Sequence, residues 1–143
     1  MPASPRELLD RVLDLTLTLT DVASAVDLYA EDCVHVIPFA PPGRPSRIEG
    51  REALRAAMTA QGGDRSPVTY DRFDHFTVWE DTERDAVIAE YEAVGTVRAT
   101  GAEFRFPQLL VLRARDGRIV ETRGYFNPTQ LAQLLAPEGT SQA

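Results

Sequence analysis

An imidazole that titrates near neutral pH can give or take a proton, and the sequence sets one in a run suited to a cavity wall. His35 lies in the middle of Cys33–Phe39 (CVHVIPF), bulky residues with strand propensity. Side chains alternate along a strand, so Cys33, His35, Ile37 and Phe39 share one face. Half-buried there, His35 could serve as general acid or base. A core histidine hydrogen-bonded to backbone or to a carboxylate would leave the same trace in sequence. Several polar groups amid apolar neighbours could orient the imidazole or stabilise charge. They are Asp14 in the first helical stretch, Glu90 and Tyr91 within VIAEYEAV, Gln108 beside LLVL, and Tyr125. Asp14, Glu90 and Tyr91 are the expected catalytic partners of His35. The structural alternatives are a capped or solvent-facing carboxylate and a satisfied core phenol.

The remaining reactive residues read as structural. Asp74 and His75 are adjacent in YDRFDHFTVWE, so alternation sends them to opposite faces and they form no dyad. His75 is expected to be an exposed or interface histidine. Cys33 adjoins Asp32 rather than a base, so nothing lowers its pKa. Arg123 is expected on the outer face, beside a carboxylate.

Composition removes whole classes of chemistry. All 15 basic residues are arginine, which excludes a lysine Schiff base and a complete Walker A loop. A single cysteine and two histidines leave no internal disulfide, no cysteine-based zinc site and no multi-histidine metal centre. No metal and no cofactor is expected. The net charge of -7 argues against nucleic acid and anionic membrane as partners. No apolar run reaches the ~18 residues of a membrane helix, and the N-terminal residues show no basic end followed by an apolar stretch. A cytoplasmic protein is the expectation.

The elements that must position His35 can be followed along the chain. Ser4-Pro5-Arg6-Glu7 fits a capping box with proline at the first helical position. Leu8, Leu9, Val12, Leu13, Leu15 and Leu19 then form an apolar helical stripe, although LTLTLT also alternates like a strand. Asp21 would cap a second helix running through Ala30, with Tyr29 to Asp32 closing it. Pro38, Pro41, Pro42, Gly43 and Pro45 make an elbow, and a third helix covers Arg51–Met58. Residues 61–67 form a loop. Strands are expected at 68–80, 86–98, 102–114 and 119–126, with an Asp116-Gly117 hairpin turn before the last. Asn127-Pro128 caps a short helix ending at Leu135, and 137–143 is a frayed tail. Three helices, an early strand and a four-strand meander make an α+β domain, one domain over 1–143 with an ordered core at about 4–136.

Two stretches carry a resemblance. The run YAED, strand, PFAPPG.P..IEGREAL near residues 29–54, with FPQLLVLRARDGRIVETRGYFNPTQLAQLL at 106–135, resembles the nuclear transport factor 2-like superfamily in its SnoaL-like branch. That branch includes polyketide cyclases and phenazine-biosynthesis A/B-type proteins, with ketosteroid isomerase more distant. The resemblance covers roughly residues 8–136. It implies a cystatin-like α+β barrel: a cone-shaped, curved, mostly antiparallel sheet wrapped over N-terminal helices, with a short C-terminal helix. It also implies an apolar cavity for a hydrophobic small molecule and a homodimer formed through the outer face of the sheet.

The family's catalytic groups do not carry over. Where ketosteroid isomerases place their base, this chain has Ile37; their phenol donor falls near Leu13 and their second aspartate near Leu109 or Gln108. The phenazine-type glutamate falls on Gly124 and the histidine near Ala57. The expected ligand contacts are Tyr29, Cys33, Ile37, Phe39, Leu109, Gly124 and Phe126. Gly124 either opens space beside Phe126 or marks a bulge. With the resemblance, these residues imply a cofactor-independent isomerase, cyclase, dehydratase or hydrolase of secondary metabolism, with a non-catalytic binding domain or a purely structural domain as the alternatives.

Overall fold

Ser4 and Glu7 exchange the two hydrogen bonds of a capping box: Glu7 N–H donates to Ser4 Oγ at 3.2 Å and Ser4 N–H to Glu7 Oε1 at 3.4 Å. The helix that follows, α1 (Pro5–Thr18), buries Leu8, Leu9 and Leu13. The computed structural model describes residues 2–18, 25–61 and 66–136. The expected cap at Asp21, the loop tip at 62–65 and the tail at 137–143 lie outside the described residues.

The elements then run β1 (Tyr29–Val36), β2 (Arg47–Glu49), α2 (Arg51–Gln61), β3 (Val68–Asp81), β4 (Ala86–Val97), β5 (Glu103–Arg115), β6 (Arg118–Phe126) and α3 (Pro128–Leu134). The four long strands fall within a residue of their expected bounds. The Asp116-Gly117 turn has positive φ at both residues, 53° and 77°, as a tight hairpin requires. Asn127 Oδ1 accepts from the backbone N–H groups of Thr129 and Gln130, capping α3.

One boundary moves. Tyr29 to Asp32, expected to close a helix, are already strand. Tyr29 pairs in parallel with Ile119 of β6, and Ile119 N–H donates to Leu28 C=O at 2.8 Å. A ladder partner some 90 residues away outweighs the local helical pattern. The short β2 was not expected: three residues show no periodicity, and its pairing with β1 (His35 opposite Ile48) is what defines it.

The six strands form one sheet in the order β2-β1-β6-β5-β4-β3. Only β1 and β6 run parallel; the other neighbours are antiparallel. The sheet is unclosed, yet Ile48 on one edge strand and Tyr70 on the other line the same cavity. Six strands at about 4.8 Å spacing reach one cavity from both edges only if the sheet curls. The result is the α+β cone implied by the resemblance, with α1 packed against its inner face. Gly95 marks a tight point of that curl. A Cβ there would lie 2.0 Å from the Thr69 carbonyl oxygen and 2.9 Å from the Phe104 ring.

On β3 the alternation fails at His75. Its φ is 58°, and the register with β4 shifts between Asp74 and Thr77. This bulge overturns the expectation that Asp74 and His75 diverge. His75 Nδ1 bonds Glu92, Asp74 accepts from Arg72 and Arg105, and Arg105 reaches Glu92 as well, so all five meet in one charged cluster. Phe76 is carried over Tyr91, its ring stacked at 5.4 Å.

Candidate functional site

A cavity of about 640 Å³ opens between the inner face of the sheet, α2, the proline elbow and α3. His35 is on its wall, placed there by β1 between the edge strand β2 and β6. Ile37 follows on the same face, and Phe106, Gln108 and Phe126 continue the wall on β5 and β6. Met58 of α2, Pro41 and Pro45 of the elbow, and Leu131 of α3 close over it. The elbow prolines thus act as stiff apolar lining, as well as ending β1.

The imidazole is held from behind. His35 Nδ1 is 2.5 Å from Thr122 Oγ1, the residue directly opposite it on β6. Thr122 is only 1% exposed. With Nδ1 engaged, Nε2 is the ring nitrogen left for the cavity. Burial lowers the pKa of His35 below its ordinary 6.5, so the ring is neutral at neutral pH. Burial also pushes the Tyr29 phenol up to about 12 and raises the Tyr70 phenol and the Cys33 thiol.

The expected site residues are spread more widely than the sequence suggests. His35, Ile37 and Phe126 line the cavity. Gly124 lies between Thr122 and Phe126 on the same face of an unbroken stretch of β6, and a Cβ there would meet nothing within 4 Å. It therefore leaves open space rather than marking a bulge. Tyr29 and Cys33 are buried in the core behind the wall.

The other expectations need correction. Glu90 and Leu109 face each other in register on the outer side of the sheet, one residue out of phase with Tyr91 and Gln108. Tyr91 does point inward, but Phe73 and Phe76 pack against it, both with ring centroids at 5.4 Å. Asp14 is on an exposed position of α1. Phe39, after the turn that ends β1, is 52% exposed and packs edge-on against Tyr125. Neither Asp14 nor Glu90 is brought to His35.

Among the polar groups of the site that sequence did not single out are Thr122 and Tyr70. Thr122 is visible only through the β1–β6 pairing. Tyr70 enters the cavity from the far edge strand and meets Phe104 edge-on at 6.1 Å. No aspartate or glutamate is among the described residues lining the cavity. The polar residues on its wall are His35, Tyr70, Gln108 and Ser66, with Arg44 at the elbow. Such a wall suits a neutral, mostly apolar molecule with one or two hydrogen-bonding groups. Among the described residues, no three His, Cys, Asp or Glu side chains gather as metal ligands, and no helix is long and apolar enough to cross a membrane.

Comparison with known proteins extends this picture. A model of the SnoaL-like domain matches residues 9–122. The Bacillus subtilis protein YesE, itself uncharacterized, is 35% identical over 108 residues, 76% of this chain and 71% of its own. The PhzA/B-like protein PA3332 of Pseudomonas aeruginosa, likewise uncharacterized, is 30% identical over 115 residues, covering 80% and 79%. Among solved structures, a Bacillus subtilis protein provisionally named an isomerase superposes with a TM-score of 0.81 at 32% identity, over 91% of each chain.

Proposed function

We propose that this chain, which belongs to the SnoaL-like domain family, is a cofactor-independent acid–base enzyme acting on an apolar small molecule. The reaction is of isomerase, cyclase, dehydratase or hydrolase type. The observation that carries this reading is His35: a neutral imidazole, anchored through Nδ1 and offering Nε2 to an apolar cavity of about 640 Å³. That volume lies in the range of about 300–1,000 Å³ common to small-molecule sites. Against so apolar a wall a hydrogen bond or proton exchange at the ligand is worth more than in water. Tyr70 and Gln108 supply neutral groups to orient the ligand. The isomerase and PhzA/B-like names of the relatives point the same way.

The same reading places the protein in cytoplasmic secondary metabolism, as a homodimer formed through the outer face of the sheet. Support for the dimer comes from Trp79, 50% exposed, whose row continues through Ile88 and Val111 across β4 and β5. Sedimentation equilibrium of Trp79→Asp tests it: the variant sediments as a monomer and the wild type as a dimer.

The decisive experiment screens bicyclic and polycyclic ketones and epoxides for turnover, then repeats the productive reaction with His35→Phe. A loss of about 10²–10⁴-fold is expected. Undiminished turnover by the variant removes His35 from the chemistry. A second reading, ligand binding without catalysis, is favoured by one observation, the absence of any carboxylate from the described cavity lining. Compounds that bind tightly and are recovered unchanged would establish it.

A further inference from the structure

Three leucines at the end of α3 have no core to join. Leu131, Leu134 and Leu135 recur at the i, i+3, i+4 spacing that gathers apolar side chains on one helix face, while Thr129, Gln130 and Gln133 fall between them. A stripe of this kind buries Leu8, Leu9 and Leu13 in α1, and in α2 Leu54 is only 3% exposed. In α3 no residue is buried, and Leu135 is 37% exposed. Yet all three leucines line the same cavity as His35. We propose that α3 is a lid completed by the ligand: its leucines close over an apolar molecule in the cavity, and that molecule supplies the packing that the sheet does not. The proposal rests on the reading above that the cavity takes such a molecule, and on no chemistry at His35.

The attachment of α3 suits a moving part. The β5–β6 ladder ends with Gln108 opposite Phe126, and the Phe126 ring packs on Phe106 at 6.0 Å. The next residue, Asn127, is extended (φ -85°, ψ 108°) and caps the helix. Its Oδ1 accepts from Thr129 N–H at 2.9 Å and from Gln130 N–H at 3.2 Å. Both bonds lie within the helical unit, so the cap travels with α3 when the joint between Phe126 and Asn127 turns. Pro128 has no N–H that a swing could strip of its partner. Among the described residues one hydrogen bond ties α3 to the sheet. It runs from Gln130 Nε2 to the Arg105 carbonyl oxygen at 3.1 Å, in an exposed position.

What holds α3 in place must therefore come largely from its leucine face. A helix of seven residues does not persist in water without tertiary packing. α1 and α2 draw theirs from the core; α3 has half-buried contacts over a cavity of about 640 Å³. An apolar occupant takes water away from that face and so couples the order of α3 to occupancy. Leu131 and Leu134, the half-buried pair, then become specificity-determining contacts that favour apolar bulk under the lid.

Hydrogen exchange read by mass spectrometry tests this, with prodan (a neutral, fluorescent naphthyl ketone) as the occupant. In the empty protein, residues 127–136 should exchange about 100-fold faster than β4 and β5, through local opening of α3. Any short helix frays, so the deciding step is the second. Prodan at about ten times its Kd should slow α3 exchange about tenfold, because the open lid loses the ligand contact. The double variant Leu131→Ala/Leu134→Ala should keep the wild-type exchange of the sheet and bind prodan about tenfold more weakly.

Three results overturn the lid: α3 exchange as slow as that of β4 and β5 in the empty protein, prodan uptake that leaves α3 exchange unchanged, and a double variant that binds prodan as tightly as wild type. Protection of α3 that grows with protein concentration instead of prodan also overturns it, and assigns the leucine face to a second copy of the chain. The readings fail separately. No uptake of prodan removes the apolar-ligand reading and the lid together, whereas uptake with unchanged α3 exchange removes the lid alone. Undiminished turnover by His35→Phe removes the enzymatic role and leaves the lid standing.

Discussion

His35 and His75 stand on one sheet in opposite circumstances. His35 is on the inner face, in ordinary strand conformation, with a neutral threonine hydroxyl behind it and an apolar cavity before it. His75 sits on the outer surface at a bulge, with φ 58°, its side chain 70% exposed and its ring bonded to a carboxylate. At His35 the backbone is unremarkable and the side chain has work to do. At His75 the position is defined by its backbone, and the ring joins a cluster of Arg72, Asp74, Arg105 and Glu92 that is already charge-balanced. A histidine beside a carboxylate resembles a catalytic pair on paper. Exposed to water, the pair has little leverage, whereas the histidine without a carboxylate holds the drier site.

The largest consequence is in turnover. His35→Phe should cost about 10²–10⁴-fold while His75→Phe stays within about twofold of wild type, as expected when only one imidazole reaches the ligand. Equal losses from both substitutions would break the comparison outright, and would move attention to the outer face.

Next in size is a contrast between two inward glycines. Gly95→Ala would drive a Cβ to 2.0 Å from the Thr69 carbonyl oxygen, a backbone atom that cannot swing away. Urea unfolding should show a loss of about 3 kcal/mol. At Gly124 an added Cβ has nothing within 4 Å, so Gly124→Ala should leave stability within about 0.5 kcal/mol of wild type. A destabilised Gly124→Ala would show that the inner face there is packed rather than open.

Much of the scaffold can be read from local pattern. The capping box at Ser4–Glu7, the Asp116-Gly117 turn, the Asn127 cap and the long strands all depend on residues close in sequence. The face of β1 was legible too, since alternation alone puts His35 with Ile37. What surrounds His35 was not. Thr122 reaches it only because β6 returns parallel to β1, and Tyr70 only because the sheet curls its far edge back over the cavity. Glu90 failed as a partner for a related reason. It is adjacent to Tyr91, so a strand cannot point both inward, and the choice between them is made by the β4–β5 register. Tyr29 was assigned to the wrong element because its helical neighbourhood is local while its ladder partner is not.

The pH dependence of stability should separate the two histidine sites. The folded-state pKa of His35 is below 6.5, so as pH falls through 6.5 the unfolded chain takes up a proton that the folded chain refuses. Stability therefore declines below that pH, by at most about 1.4 kcal/mol per pH unit from this group, and His35→Gln should flatten the decline. Glu92 works in a lower window. The hydrogen bond from His75, helped by Arg105, holds its carboxyl below the ordinary 4.5. Its contribution is complete above 4.5 and fades as pH drops below that value, so Glu92→Gln should change only the acid end of the curve. Urea midpoints measured from pH 7 to pH 3 for the three proteins test both; a single shared window would erase the distinction.

The smallest effect asks whether backbone really matters more than ring at His75. A left-handed conformation costs a residue with a Cβ about 1–2 kcal/mol, and glycine adopts it freely. His75→Gly recovers that cost, then gives up most of it through the extra freedom of glycine in the unfolded chain and through the lost bond to Glu92. Its stability should lie within about 0.5 kcal/mol of wild type. His75→Val loses the same ring and must force a β-branched side chain to φ 58°, so it should be less stable than His75→Gly by about 1–2 kcal/mol. If valine and glycine prove equally stable, the bulge yields to the side chain, and His75 must be held in place by its bond to Glu92 after all.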